Sequence, residues 1–166
     1  GREVETAPFI EIDFALNIAP PKNGEIEFSK IRELIYDLVA QGVNLRWVSL
    51  DSYQSSDTIQ QLKRKRIVSG VFSVDKDPKA YFLLREALLD RRIVIPSHER
   101  LIDELRFLEF DALKMKVDHP PKESKDLSDC LAAVVYNLST RGDIWYREHN
   151  ISPRDVDLFR RSQSGE

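Results

Sequence analysis

Cysteine is almost missing from this 166-residue chain: Cys130 stands alone. That excludes an internal disulfide and a cysteine-rich zinc site, and it fits a reducing, cytoplasmic compartment. Histidine is scarce too, with His98, His119 and His149 too scattered to suggest a zinc site. No apolar run approaches the roughly 20 residues that span a bilayer. The opening GREVETAPF lacks the basic-then-apolar order of a signal peptide. Phosphate loops of the GxxxxGK(S/T) or GxGxxG form are absent, which leaves ATP and dinucleotide binding without local support. No serine or threonine stands in a nucleophile-elbow context. Positive charge is not in excess either, the net charge being −3. Bulk electrostatics therefore gives nucleic-acid binding no support, and any such binding must rest on local charge.

Local charge is uneven. Lys63, Arg64, Lys65 and Arg66 are consecutive, and Arg91–Arg92 and Arg160–Arg161 add basic pairs. A run of this kind is ordinarily a solvated face. At 42% hydrophobic and 32% charged residues, the chain has the balance of one soluble, globular domain with a real core.

The order of patterns is that of an α/β domain. Residues 9–18 (FIEIDFALNI) alternate apolar and acidic positions like a strand and end at the turn cluster 19–24. Phe28, Ile31, Leu34, Ile35, Leu38 and Val39 fall at helical spacing, closed by Gly42. A strand is expected over 44–50, a helix over 56–65 and a strand over 67–74. Asp77-Pro78 then opens a helix over 79–89, with Asp77 as cap. A short strand over 93–95 and a helix from Ser97 to near Leu108 follow. Residues 109–125 read as an irregular connection, and 127–138 as a helix. Residues 152–159 suit one short helix, and the last residues look like a mobile tail. Strands alternating with helices predict a largely parallel sheet flanked by helices. The expected division is a leader over 1–8, the domain over 9–140 and a partly flexible C-terminal tail over 141–166.

Carboxylates are the remaining chemical candidates. Asp51 follows the apolar strand WVSL, and ligands bind at the carboxyl ends of strands in parallel sheets. Asp51 or Ser52 could equally cap a turn, and both readings stay open. In the last helix, Leu127, Cys130, Leu131, Val134, Val135 and Leu138 form an apolar stripe, with Ala132 and Ala133 small enough for close packing. Cys130 in that stripe reads as a buried structural residue. Asp126 and Asp129 lie off the stripe in the first turn, where acidic residues satisfy free N–H groups and complement the helix dipole. Both roles can hold, with Asp126 as the cap and Asp129 free to reach a metal. Mg²⁺ and Mn²⁺ prefer oxygen ligands, and two such ions about 3.5–4 Å apart serve phosphodiester cleavage.

At these places the chain resembles a known family, the nuclease domain of bacteriophage terminase large subunits. The matching segments are APPKNGEIEFSKIRELI (19–35), SLDSYQSSD (49–57), FSVDKDPKAYFLLREAL (72–88) and VDHPPKESKDLSDCLAAVVYNL (117–138). They span most of residues 9–139, and DSYQS followed by HPPKxSKDxxDxLA is the specific part. The resemblance implies a ribonuclease H-like fold and a two-metal endonuclease, using Mg²⁺ or Mn²⁺, that cuts concatemeric double-stranded DNA during viral genome packaging. Asp51 matches the family's acidic ligand at a strand end and Asp129 its late helical aspartate, with Asp126 as second ligand or outer partner. Lys125 and His119 lie where they could touch DNA or orient a carboxylate, an ordinary loop residue being the plainer reading of His119. Lys63 to Arg66 and Lys125 are the candidates for phosphate contacts.

The implied partners are DNA, the terminase ATPase domain of the same full-length chain, the portal and the small terminase subunit. The implied place is the host cytoplasm, at the procapsid portal. One departure matters: the family's first catalytic aspartate lies on an opening strand upstream of FIEIDFALNI, and that strand is not in this chain. Asp13 reads as a strand residue and a poor replacement. The rival reading follows from this gap: a catalytically incomplete nuclease-like domain that binds DNA or the portal without cutting.

Overall fold

The computed structural model of the chain describes residues 7–52, 55–121 and 123–141. Residues 1–6 of the leader expected over 1–8, the helix expected over 152–159 and the rest of the tail after residue 141 lie outside the described residues, as do His149 and Arg160–Arg161. The elements run β1 (Ile10–Glu11), α1 (Phe28–Ala40), β2 (Val48–Leu50), α2 (Ser55–Arg64) and β3 (Ser69–Val71). A single 3-10 turn (Val74–Lys76) follows, then α3 (Lys79–Leu89), β4 (Ile93–Val94), α4 (Glu99–Arg106), β5 (Glu109–Asp111), β6 (Lys116–Asp118) and α5 (Asp126–Thr140). The mixed α/β class expected from the alternation is present. No helix among the described residues is long and apolar enough to cross a membrane.

The sheet is less continuous than the patterns predict. β1 pairs with β4 and β2 with β3, both parallel, while β5 and β6 pair antiparallel. Among the described residues these three pairs are separate two-stranded sheets. The ten-residue strand expected over 9–18 shrinks to Ile10–Glu11. Its alternation is real, but only Ile10, Ile12 and Ala15 meet the core, and Phe14, Leu16 and Ile18 stay exposed. Residues 109–118, expected to be irregular, form a hairpin. Asp111 Oδ1 accepts the N–H groups of Leu113 (2.9 Å) and Lys114 (3.0 Å) and so supplies the turn's bonds.

Helix ends follow local chemistry closely. Gly42 adopts φ +93° after α1, and Val43 N–H reaches back to Leu38 C=O. The same five-residue reach closes α2 (Ile67 to Leu62) and α3 (Arg92 to Ala87), with Arg66 and Arg91 in the left-handed conformation. Glycine would be easier there, but a basic side chain complements the negative end of the helix dipole. Asp77 Oδ1 accepts Lys79 N–H at 2.8 Å and caps α3 as expected. α4 is capped by His98, whose Nδ1 accepts Leu101 N–H, and not by Ser97.

The core lies where α5 packs across α3 and α4. Ala80, Ala87 and Ala132 are fully buried, so the helices approach closely around Tyr81, Leu84, Leu131 and Val135. The apolar stripe expected on α5 is rotated. Leu127, Ser128, Leu131, Ala132 and Val135 face inward, whereas Val134 is 41% exposed. Cys130 is exposed and not a core residue, because α5 packs on two helices rather than flat on one sheet. α1 contributes no fully buried residue and leans on α2 through Arg32, which bonds Asp57 Oδ2 (3.0 Å) and Thr58 Oγ1 (3.2 Å).

Gly70 in β3 makes room for the indole of Trp47, which Arg141 covers from 3.7 Å. A Cβ at Gly70 would stand 2.8 Å from Trp47 Cη2, and a rigid ring stacked under a guanidinium cannot yield cheaply. Gly70→Ala should cost about 1–3 kcal/mol, as overpacking usually does, measured as a lower urea midpoint at unchanged slope.

Candidate functional site

β2 and β3 run parallel, so their carboxyl ends open in the same direction, the place where α/β sheets leave room for ligands. A recess of about 160 Å³ lies there. Ser49, Leu50 and Asp51 from the end of β2 form one wall, and Phe72 to Asp75 beyond β3 form a second. Asp129, Cys130, Ala133 and Val134 of α5 close it. Two contacts hold α5 against the strands. Phe72 stacks on Tyr136 with ring centroids 4.5 Å apart, and Asn137 Nδ2 reaches Ser49 Oγ at 3.4 Å and Ala133 C=O at 2.7 Å.

A ladder of alternating charge borders the recess. Lys125 Nζ lies 2.8 Å from Asp75 Oδ1 and 2.8 Å from each oxygen of Asp129. Asp75 Oδ1 also pairs with Lys116 Nζ at 3.4 Å, and Lys116 reaches Asp118 Oδ2 at 3.2 Å. Tyr81, buried in the core, donates its hydroxyl to Asp129 Oδ1 at 2.5 Å and lies 3.2 Å from Ser128 Oγ. Burial pushes the Asp129 carboxyl above the usual range, and its bonds to Lys125 and Tyr81 offset only part of that. Asp75 is less buried: burial raises it, but Lys125 and then Lys116 outweigh this and hold it below the usual range. Burial and the Asp129 charge together push the Tyr81 hydroxyl far up, so it stays a donor.

The expected site residues separate into two groups. Asp51 and Asp129 come together at the recess. Asp51 also accepts Ser52 N–H at 2.6 Å, so the turn role and the recess position coexist. Asp126 does not join them. Its side chain is 82% exposed and bonds Ser124 Oγ (2.9 Å) and Arg100 Nη2 (3.4 Å) on the side of α4. Nor does Asp126 cap α5. That work falls to Glu104 of α4, whose buried carboxylate accepts Ser128 N–H at 2.9 Å and holds Ser124 and Arg100. Asp129 is held rather than free, since Lys125 and Tyr81 occupy it. Lys125 is buried on the two carboxylates, so of its two expected roles the orienting one matches its position. His119 bonds Pro120 C=O through Nδ1 at 2.9 Å and lies outside the recess lining.

Lys63 to Arg66 are exposed at the far end of α2. They stand about 15 Å along the helix axis from its start beside Asp51. Lys65 there lies over the Tyr36 ring at 5.6 Å. Asp75, Tyr81, Lys116 and Glu104 were not singled out by sequence reasoning. For Asp75 a signal existed: the rule that selects Asp51 just after the strand 44–50 equally selects Asp75 just after 67–74.

No protein-family model, no curated protein and no solved structure matches the chain. Whether the recess suits the metal of the resembled family is therefore a question for its own atoms. The donor chemistry fits: Asp51, Asp75 and Asp129 are hard oxygen ligands from three elements facing one space. Among the described residues, however, no three His, Cys, Asp or Glu side chains gather closely enough to form a ready cation cage. The cation now between Asp75 and Asp129 is Lys125.

Two expectations follow. Glu104→Ala leaves the buried Ser128 N–H unpaired and should cost about 1–3 kcal/mol, read as a fall in urea-unfolding free energy. Lys125 has its pKa raised: burial lowers it, and the bonds and charges of Asp129 and Asp75 win. Its contribution to stability is thus fully present below the ordinary lysine value of 10.5 and is lost as pH rises from there through its raised value. The stability difference between wild type and Lys125→Met should shrink as the pH is raised above 10.5. A difference that stays constant over that range would contradict this assignment.

Proposed function

We propose that this chain is a metal-dependent endonuclease domain of the phage terminase large-subunit type, with a ribonuclease H-like arrangement, acting on double-stranded DNA during genome packaging. One observation carries the reading. Asp51, Asp75 and Asp129, each separated from the next by more than twenty residues, line a single recess at the carboxyl ends of two parallel strands. Asp75 supplies a third carboxylate where the resemblance left one missing.

In this reading Asp51, Asp75 and Asp129 hold Mg²⁺ or Mn²⁺, which when bound supplies Lewis acidity at the scissile phosphate. The chain's own residues do the positioning. Tyr81 fixes the Asp129 carboxylate from the core side, and the mouth of the recess, beside exposed Asp51 and Asp75, faces the substrate. The oxygen of water adds to phosphorus and gives a proton to solvent, the bond to the 3′ oxygen breaks, and that oxygen takes a proton from solvent, leaving a 3′-hydroxyl and a 5′-phosphate. DNA contact is to phosphates, so cleavage has little base preference. The ATPase domain, the portal and the small subunit are the partners this reading brings with it.

The rival, a domain that binds DNA or the portal without cutting, is favoured by a different observation: Lys125 and Tyr81 engage both oxygens of Asp129, and Asp126 faces away. A plasmid-nicking assay with MnCl₂ separates the two. Nicking that falls on the order of 100-fold or more in Asp51→Asn and in Asp129→Asn, with folding intact, is expected. A wild-type protein that binds plasmid but never nicks it belongs to the rival class.

A further inference from the structure

Lys125 is buried beside the recess, and its ammonium stands where the nuclease reading places a metal. Its side chain is 8% exposed. Its three bonds, all at 2.8 Å to Asp75 Oδ1 and both oxygens of Asp129, use all three of its protons. Two of the three acceptor oxygens are doubly engaged. Asp129 Oδ1 takes bonds from Lys125 and Tyr81, and Asp75 Oδ1 is shared between Lys125 and Lys116. A carboxylate oxygen offers about two lone-pair sites, so only Asp129 Oδ2 keeps one to spare, and a divalent ion that reached it with Lys125 in place would stand against the ammonium charge.

We propose that Lys125 is a resident cation exchanged for the metal: its ammonium and a divalent ion are alternative occupants of the gap between Asp75 and Asp129. Lys125 is then a positioning residue that keeps the two carboxylates converged without a metal and sets the affinity for one. Its side chain is long and unbranched, so leaving the carboxylates needs only rotation about its own bonds. This inference rests on the nuclease reading for the identity of the ion.

The test is a titration with MnCl₂ followed by electron paramagnetic resonance, which reads free Mn²⁺ directly. It compares wild type, Lys125→Met and Lys125→Arg, each shown to be folded by near-ultraviolet circular dichroism. Lys125→Met removes the competing charge at similar volume and should bind Mn²⁺ about tenfold or more tightly than wild type. Lys125→Arg keeps the charge and should show no such gain. Equal or weaker binding by Lys125→Met, or the same gain in Lys125→Arg, overturns the proposal.

If Lys125→Met does not fold, amine labelling of the wild type with mass-spectrometric readout serves instead. Labelling of Lys125 should rise on adding MnCl₂ while exposed Lys30 stays constant, and unchanged labelling of Lys125 overturns the proposal. The two readings fail separately. Tighter binding by Lys125→Met without any nicking supports the exchange and removes the nuclease. Mn²⁺-dependent nicking with equal affinities does the reverse, and no Mn²⁺ binding by any of the proteins overturns both.

Discussion

Lys125 Nζ sits 2.8 Å from Asp75 on the turn after β3 and 2.8 Å from Asp129 on the first turn of α5. Withdrawing Lys125 and part of Asp129 from water costs several kcal/mol per ion unless the geometry satisfies their hydrogen-bonding groups, while Asp75 stays exposed. Here every ammonium proton finds a carboxylate, so the arrangement is stable only with all three residues in place. That ties the late helix to the strand ends. Glu104 complements it from the other side by holding Ser128 N–H, and between the two anchors the start of α5 has little freedom. Asp129 faces the recess, and Leu127 and Leu131 face the core, as consequences of that placement.

The same constraint explains why the recess is chemically ambivalent. Its carboxylates suit a hard cation, and its present cation belongs to the protein. Burial that raises Asp129 and pairing that lowers Asp75 pull the two acids apart. Such divergence is what functional sites show, although structural ion-pair networks show it too. Of the basic run, Lys63 and Arg64 lie in the last turn of α2 and Lys65 and Arg66 just beyond it, where positive charge complements the dipole. Charge near the recess comes instead from Lys116 and Lys125, both committed to aspartates.

Much of the local structure was legible. The spacing of Phe28 to Val39, the glycine after α1 and the Asp77-Pro78 start each encode a helix boundary through interactions within a few residues. The strands were legible as places but not in length, because pairing needs a neighbour that a single stretch cannot specify. The hairpin over 109–118 was missed since its turn rests on the Asp111 side chain rather than on a glycine or proline signal. The face of α5 was misjudged because periodicity marks an apolar stripe without saying how wide the covering surface is. Cys130 and Val134 consequently lie at the recess instead of in the core. Asp75 was overlooked although it follows the strand expected over 67–74 just as Asp51 follows that over 44–50; in the structure it sits on the 3-10 turn beyond β3.

From the sequence alone came the α/β class and the helices, which depend on short-range spacing and residue type, while Asp51 and Asp129 were singled out by the resemblance, residue pattern leaving their roles open. The tertiary structure alone decided which acids meet. It turned Asp126 toward Arg100 and brought Asp75 opposite Asp129 across more than fifty residues of chain. It also buried Lys125 between them. Such convergence is settled by how α5 docks on α3, α4 and the strand ends, and side-chain packing at that depth leaves no periodic trace in the sequence.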